Sequence, residues 1–180
     1  MPLYLTTVRG FDLAQIAMFA WLPFLAADLG CMFGPIVVLW LQKRGVRLIN
    51  ARRGAFTVGA CMMMGVAFVG YVESPYAAIA LLSLAGFAHQ TLSVTVITMS
   101  SDLFRRNEVA TVAGMCGTFG NLGLLIFSLL IGGMMATVGY TPFFVSLAVL
   151  DLVAAAVLWI LVREPAPQPT GFDTLTLQKT

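Results

Sequence analysis

Apolar residues dominate five long segments of this chain, and short polar segments separate them. The apolar runs lie at about 13–41, 55–72, 76–98, 109–138 and 141–162. A helix needs about 20 apolar residues to cross the hydrocarbon core of a bilayer, which is about 30 Å thick. Because lipid offers no hydrogen-bond partner to the backbone, each crossing segment must satisfy its peptide groups within its own helix. The pattern therefore predicts an all-α polytopic membrane protein with five transmembrane helices.

The composition supports this assignment and argues against several other classes of protein. Of the 180 residues, 59% are hydrophobic and 10% are charged, whereas soluble proteins carry about 25% charged residues. The net charge of +2 is too small to indicate nucleic-acid binding. Cys31, Cys61 and Cys116 lie within predicted spans, so we expect them to pack as small apolar residues rather than form disulfides. The sequence carries no metal-ligand cluster, phosphate-binding loop or nucleophile motif, and we predict no metal, no cofactor and no enzymatic activity.

Basic residues mark alternate connections between the spans. Residues 42–53 contain five Lys or Arg and no acid, residues 100–108 contain two Arg with two acids, Asp102 and Glu108, and Arg163 follows the last span. Short loops rich in Lys and Arg stay on the cytoplasmic side of a membrane. We therefore place these two connections and the C-terminus in the cytoplasm. The segments expected on the outer side are 1–12, 73–75 and 138–141.

The two ends of the chain differ from the spans between them. Residues 1–7 match the last turns of a further helix, so we expect the chain to be a piece of a longer protein. Residues 165–180 begin with three prolines in five residues and have no apolar periodicity. That composition predicts a disordered cytoplasmic tail.

Polar residues within the spans are candidate functional positions, because a charge near the bilayer centre costs at least about 2.5–3.5 kcal/mol. Asp28 in the first span is either a coupling or gating residue or a hydrogen-bonded structural acid. The third span carries His89, Gln90 and Ser93. The large polar groups of His89 and Gln90 favour an aqueous path over a purely structural contact. No motif supports intramembrane hydrolysis by His89 and Ser93.

The other side of the third span carries a threonine stripe that includes Thr91 and Thr95. Threonine can return a hydrogen bond to its own helix, so we expect this stripe to pack against a neighbour. Asp151 lies near the middle of the last span among Leu, Val and Ala. It has no evident partner, and it either faces the bundle or stays protonated.

Two glycine patterns predict close contact between helices. Gly30 and Gly34 in the first span form a small-xxx-small pair. Asn121 in the fourth span lies within a second ridge, and its buried amide must find partners in a neighbouring helix or a solute. The glycines of that ridge recur every three residues, at Gly114, Gly117, Gly120 and Gly123.

Several segments together resemble a known family of transporters. They are the AHQxxS segment at 88–93, the SDLFRR run at 101–106, the glycine-rich fourth span and the opening MPLYLTTVRGFDL. As a set they are similar to the C-terminal half of a major facilitator superfamily transporter of the anion:cation symporter branch, most like the hexuronate and sugar-acid transporters. The resemblance implies that residues 1–164 form part of a six-helix C-terminal bundle. The five spans would be helices 8–12 of the twelve-helix fold, after the end of helix 7.

The resemblance also implies a function. The chain would be a fragment of a secondary active transporter in the bacterial inner membrane, working by proton-coupled symport of small organic anions such as hexuronates through alternating access. Its partners would be the lipid bilayer, the anion, a proton and the missing helices 1–6. The matching positions for solute contact are His89, Gln90, Ser93 and Asn121. His89 could titrate near neutral pH or orient Gln90. Helix 12 would face lipid, which leaves Asp151 unexplained, and a stand-alone five-span scaffold or subunit without transport activity stays open as an alternative.

Overall fold

The computed structural model describes residue 10 and residues 12–163, and the expectations for residues 1–9 and 164–180 lie outside that range. Helices account for nearly all of the described part, which contains no β-strand. In chain order the helices are α1 Leu13–Phe19, α2 Leu22–Lys43, α3 Leu48–Met63, a 3₁₀ helix Met64–Gly70, α4 Pro75–Leu103, α5 Val109–Val138 and α6 Thr141–Leu161. Five helical segments of this range are long and apolar enough to cross a membrane. The predicted all-α fold with five transmembrane helices is confirmed.

The first predicted span, 13–41, is not one unbroken helix. A turn at residues 20–21 separates α1 from α2. Pro23 lies at the start of α2, where its missing N–H is tolerated, whereas a proline deeper in a helix removes a backbone hydrogen bond. The proline therefore accounts for a restart of the helix at this point, which apolarity alone does not reveal.

Two other spans extend beyond their apolar runs. The second was predicted at 55–72, but α3 already begins at Leu48 and so includes Arg52 and Arg53. The third was predicted at 76–98, and α4 continues to Leu103. Polar residues can remain helical at the membrane surface because their side chains reach water or each other there. The apolar run therefore marks the part of a helix that lies in lipid, not its ends.

The closest backbone contact joins α2 to α4 through glycine. A Cβ added at Gly30 would collide with the backbone carbonyl of Phe87, and one added at Gly86 would lie 2.6 Å from the carbonyl oxygen of Pro23. Gly30 and Gly34 are both buried on the face of α2 that meets α4. Without side chains at these positions the two helices approach closely, as small-xxx-small pairs allow in membranes.

Two threonines complete the interface on the α4 side. Thr91 and Thr95 are among the most fully buried side chains of the described residues. The Thr91 hydroxyl lies 2.9 Å from the carbonyl oxygen of Phe87 and 3.1 Å from that of Gly30, so it can donate within its own helix or across to α2. Thr95 donates to the carbonyl oxygen of Thr91 at 2.6 Å. The threonine stripe packs against α2, as its residue type suggests.

An ion pair links α3 to α4 at one end of the bundle. Arg52 Nε lies 2.8 Å from Asp102 Oδ2, and Arg52 Nη1 donates to Thr98 Oγ1 at 2.9 Å. Both charged side chains are largely shielded, with relative exposures of 15% and 18%. Because Arg52 is near the start of α3 and Asp102 near the end of α4, the two basic connections lie at the same end of the bundle.

The helix α5 packs more loosely than the others. No atom lies within 4 Å of a Cβ added at any glycine of its ridge, so the predicted close contact is not made among the described residues and stays a prediction. Apolar side chains on this helix face outward, among them Leu129 at 68% exposure. Such a surface suits lipid or further protein.

We expect Gly30→Ala to lower the free energy of unfolding by about 1–3 kcal/mol, the usual cost of overpacking, because the added methyl group meets the Phe87 backbone. Gly133→Ala is the matched control, since nothing lies within 4 Å of its Cβ position. Unfolding of the purified protein in detergent, followed by circular dichroism, measures both. Equal stability of the two variants would contradict the close α2–α4 contact.

Candidate functional site

A cleft of about 560 Å³ lies between α4, α5 and α6, with Phe56 of α3 in its wall. Its polar lining comes from three helices: His89 and Ser93 on α4, Asn121 on α5 and Asp151 on α6. The remaining lining is mostly apolar. A largely apolar cavity with a few convergent polar groups is the usual form of a small-molecule site. Three of the four residues predicted to contact a solute therefore meet in one cavity.

Helix geometry explains how α4 and α5 form this cleft. His89 and Ser93 are four residues apart and so share one face of α4. Gly117 and Gly120 of α5 also line the cleft. Because they have no side chains, they leave open the space that the cleft occupies. Part of the glycine ridge thus serves as a cavity wall.

The hydrogen bonds of the lining residues leave capacity for a bound solute. Asn121 Nδ2 donates to the carbonyl oxygen of Gly117 at 2.8 Å, which fixes the amide and leaves its oxygen and a second N–H available. The side chains of His89, Ser93 and Asp151 have no hydrogen-bond partner among residues 12–163. The side chains of His89 and Asn121 are exposed, so the expectation of a buried Asn121 amide is wrong, because α5 packs loosely here. Water or a polar solute in the cleft can therefore reach both side chains and bond to them.

Asp151 is the member of this site that sequence reasoning missed. It is half-buried, and it lines the cleft together with His89 of α4. Apolar residues surround Asp151 along α6, so the sequence pattern could not show which face of that helix lines the cleft. Its intramembrane carboxylate was the one available signal, since such groups are rarely without function.

Gln90 and Asp28 do not line the cleft. Gln90 Nε2 donates to Cys31 Sγ of α2 at 3.4 Å, a weak hydrogen bond because thiol sulfur is a poor acceptor. Successive side chains of a helix differ in direction by about 100° around its axis. Gln90 therefore points away from His89, toward α2. Asp28 lies on an exposed face of α2. The solute contact of Gln90 and the gating role of Asp28 stay predictions.

The cleft offers hydrogen-bonding groups rather than a metal-binding set. Within the described part of the chain, no three His, Cys, Asp or Glu side chains lie close enough to hold a metal ion. Toward a solute that carries several hydroxyl groups, a hydroxyl, an amide and an imidazole can each donate and accept hydrogen bonds, and a carboxylate can accept them.

Comparisons with a family model and with individual known proteins point to the same family. Residues 1–177 match the Major Facilitator Superfamily. The chain is 46% identical to the hexuronate transporter of Escherichia coli (strain K12) over 171 residues. The aligned region covers 92% of this chain and 39% of that protein. It is 46% identical over 81 residues to the galacturonate transporter of Dickeya chrysanthemi, covering 44% of this chain and 24% of that protein.

A more distant relative is the D-galactonate transporter of Escherichia coli O6:H1, at 26% identity over 163 residues, 91% of this chain and 38% of that protein. The chain spans 39% of the length of the hexuronate transporter.

Cysteine labelling can test which side chains face the cleft. With the three native cysteines replaced by serine, we expect Ser93→Cys and Asn121→Cys to react with a membrane-impermeant thiol reagent, because both positions line the cleft. Gln90→Cys should react several-fold more slowly, since that position faces α2. Ala88→Cys is the buried control, being fully enclosed. Equal labelling at Ser93 and Gln90, or none at Ser93 and Asn121, would contradict the geometry.

Proposed function

Because this chain belongs to the Major Facilitator Superfamily, we propose that it is the C-terminal part of a secondary active transporter for small organic anions such as hexuronates. The observation that carries the proposal is the intramembrane cleft lined by His89, Ser93 and Asn121. The relatives named above are transporters of hexuronate, galacturonate and D-galactonate, and their similarity to this chain supports the solute class.

The lining chemistry fits the polyol part of a sugar acid. Each sugar hydroxyl both donates and accepts, as do the Ser93 hydroxyl and the Asn121 amide. The volume of about 560 Å³ lies within the range of about 300–1,000 Å³ common for small-molecule sites. The lining contains no Lys or Arg. Under this proposal, basic groups of the N-terminal helices hold the solute carboxylate.

Transport proceeds by alternating access in this proposal. Two bundles of helices rock around a solute site near the middle of the membrane, which opens to one side at a time. The chain contributes α4 and α5 to that site. The exposed glycine ridge of α5 and the exposed face of α2 around Asp28 are the surfaces against which helices 1–6 of the same transporter move. Symport with a proton supplies the driving force.

We place the transporter in the bacterial inner membrane with its C-terminus in the cytoplasm. The support is the distribution of basic residues, which concentrate at 42–53 and 100–108, as expected for cytoplasmic connections. The Arg52–Asp102 ion pair joins these two connections at one end of the bundle.

Uptake measurements test the solute assignment. In vesicles that contain the intact transporter, Ser93→Ala and Asn121→Ala should each lower hexuronate uptake by about two- to tenfold, because each removes a hydrogen bond worth about 0.5–1.5 kcal/mol. Gln90→Ala should have a smaller effect, since Gln90 lies outside the cleft. Thr118→Ala is the control on α5, because Thr118 bonds only to the Gly114 carbonyl and is exposed.

All variants must first be shown to insert into the membrane at the level of the unmodified protein. Unchanged uptake in both cleft variants would reject their assigned role. Failure of the unmodified transporter to accumulate any uronate or aldonate would reject the function itself and leave the scaffold alternative in its place.

A further inference from the structure

The one charged residue of α6 requires an explanation that solute binding does not provide. Asp151 lies in the middle of Thr141–Leu161, a span whose other residues are uncharged, and a carboxylate at such depth costs at least about 2.5–3.5 kcal/mol. It lines the same cleft as His89. Among residues 12–163 it has no hydrogen-bond partner.

The other groups around Asp151 leave His89 as its natural partner. Cys116 of α5 is the remaining titratable side chain in the lining, while α3 contributes only Phe56 there. The 3₁₀ helix that packs on α6 has the sequence MGVAFVG and carries no titratable side chain. In α3, the charged side chain that contacts α6 is that of Arg53. Its guanidinium lies 5.3 Å from the ring centre of Trp159. Trp159 is two turns beyond Asp151, or about 12 Å along the helix.

The net charge of His89 and Asp151 affects how tightly the cleft binds an anionic solute. When the His89 imidazole is neutral and Asp151 is an ionised carboxylate, the pair carries a charge of −1. One added proton makes its net charge zero, on whichever of the two residues the proton resides. Like charges repel strongly in a site of low dielectric constant. The solute carboxylate belongs to the same small molecule as the hydroxyls that bind in the cleft, so it lies near the pair even when basic groups of the N-terminal helices hold it. An anionic solute therefore binds more readily when the pair is protonated than when it is deprotonated.

We propose that His89 and Asp151 form a proton-binding pair in the solute cleft, so that proton binding and anion binding reinforce each other. This inference rests on the proposed function, because it requires an anionic solute in the cleft. The proton comes from water on the side where the cleft is open and returns to water on the other side, so that no other reactant takes part. Both groups line one cleft, so a proton on either of them neutralises the charge of the pair. By linkage, the solute tightens proton binding as much as the proton tightens solute binding.

The test measures uronate affinity of the intact, purified transporter from about pH 5.5 to pH 8.5, around the range in which histidine titrates. In the unmodified protein the Kd should rise with pH, by up to about tenfold per pH unit where one proton is linked. Asp151→Asn keeps the pair neutral without a proton. Its Kd at the alkaline end should stay near the value of the unmodified protein at the acid end, and the pH dependence should flatten.

His89→Gln should act in the opposite direction. It leaves the Asp151 carboxylate without a cationic partner, so the Kd at neutral pH should rise several-fold and tight binding should need a lower pH. The double variant should again resemble Asp151→Asn. Ser146→Ala is the control on α6, because Ser146 lies outside the cleft and bonds to the Phe143 carbonyl. It should keep the pH profile of the unmodified protein.

An Asp151→Asn protein that keeps the full pH dependence of the unmodified transporter would overturn the proposal, although the proposed transport function would stand. So would a His89→Gln protein whose pH profile is unchanged, and this variant decides the matter if Asp151→Asn does not fold. An unmodified transporter that binds no uronate at any pH would overturn both the proposed function and the pair.

Discussion

The need to satisfy every backbone N–H and C=O inside the protein governs this molecule, because lipid supplies no hydrogen bonds. It forces the chain into long helices. The polar side chains of these helices fall into two groups. Thr91, Thr95 and Asn121 bond back to the helix that carries them. His89 and Asp151 have no such bond, and both face one cleft. The cleft is therefore where the membrane part of the chain retains polar capacity for a solute.

Packing around glycine determines where that cleft lies. Gly30 and Gly86 bring the backbones of α2 and α4 together, so the threonine side of α4 is buried and its opposite side is left for His89 and Ser93. The same residue type has a different effect on α5. There, the missing side chains of Gly117 and Gly120 leave space rather than a tight contact.

Much of this architecture could be predicted from the sequence. Apolar length gave five spans, and helical spacing grouped His89 with Ser93 on one face. Gln90 shows the limit of that reasoning, because large polar groups next to each other in sequence point to different neighbours on a helix, here toward Cys31. Asp151 shows another limit, since only the packing of α6 against α3 and the 3₁₀ helix brings it to the cleft that His89 also lines. The helical position of Arg52 escaped prediction because apolar runs do not mark where helices end.

An experimental structure of the intact protein with a bound uronate is the most direct test of the central claim, that the polar faces of α4, α5 and α6 form one solute site within the membrane. The sugar ring should lie in the cleft, with its hydroxyls within hydrogen-bond distance of Ser93 and Asn121 and with His89 and Asp151 in the same lining. A cleft filled by lipid chains, with the uronate bound elsewhere, would contradict it.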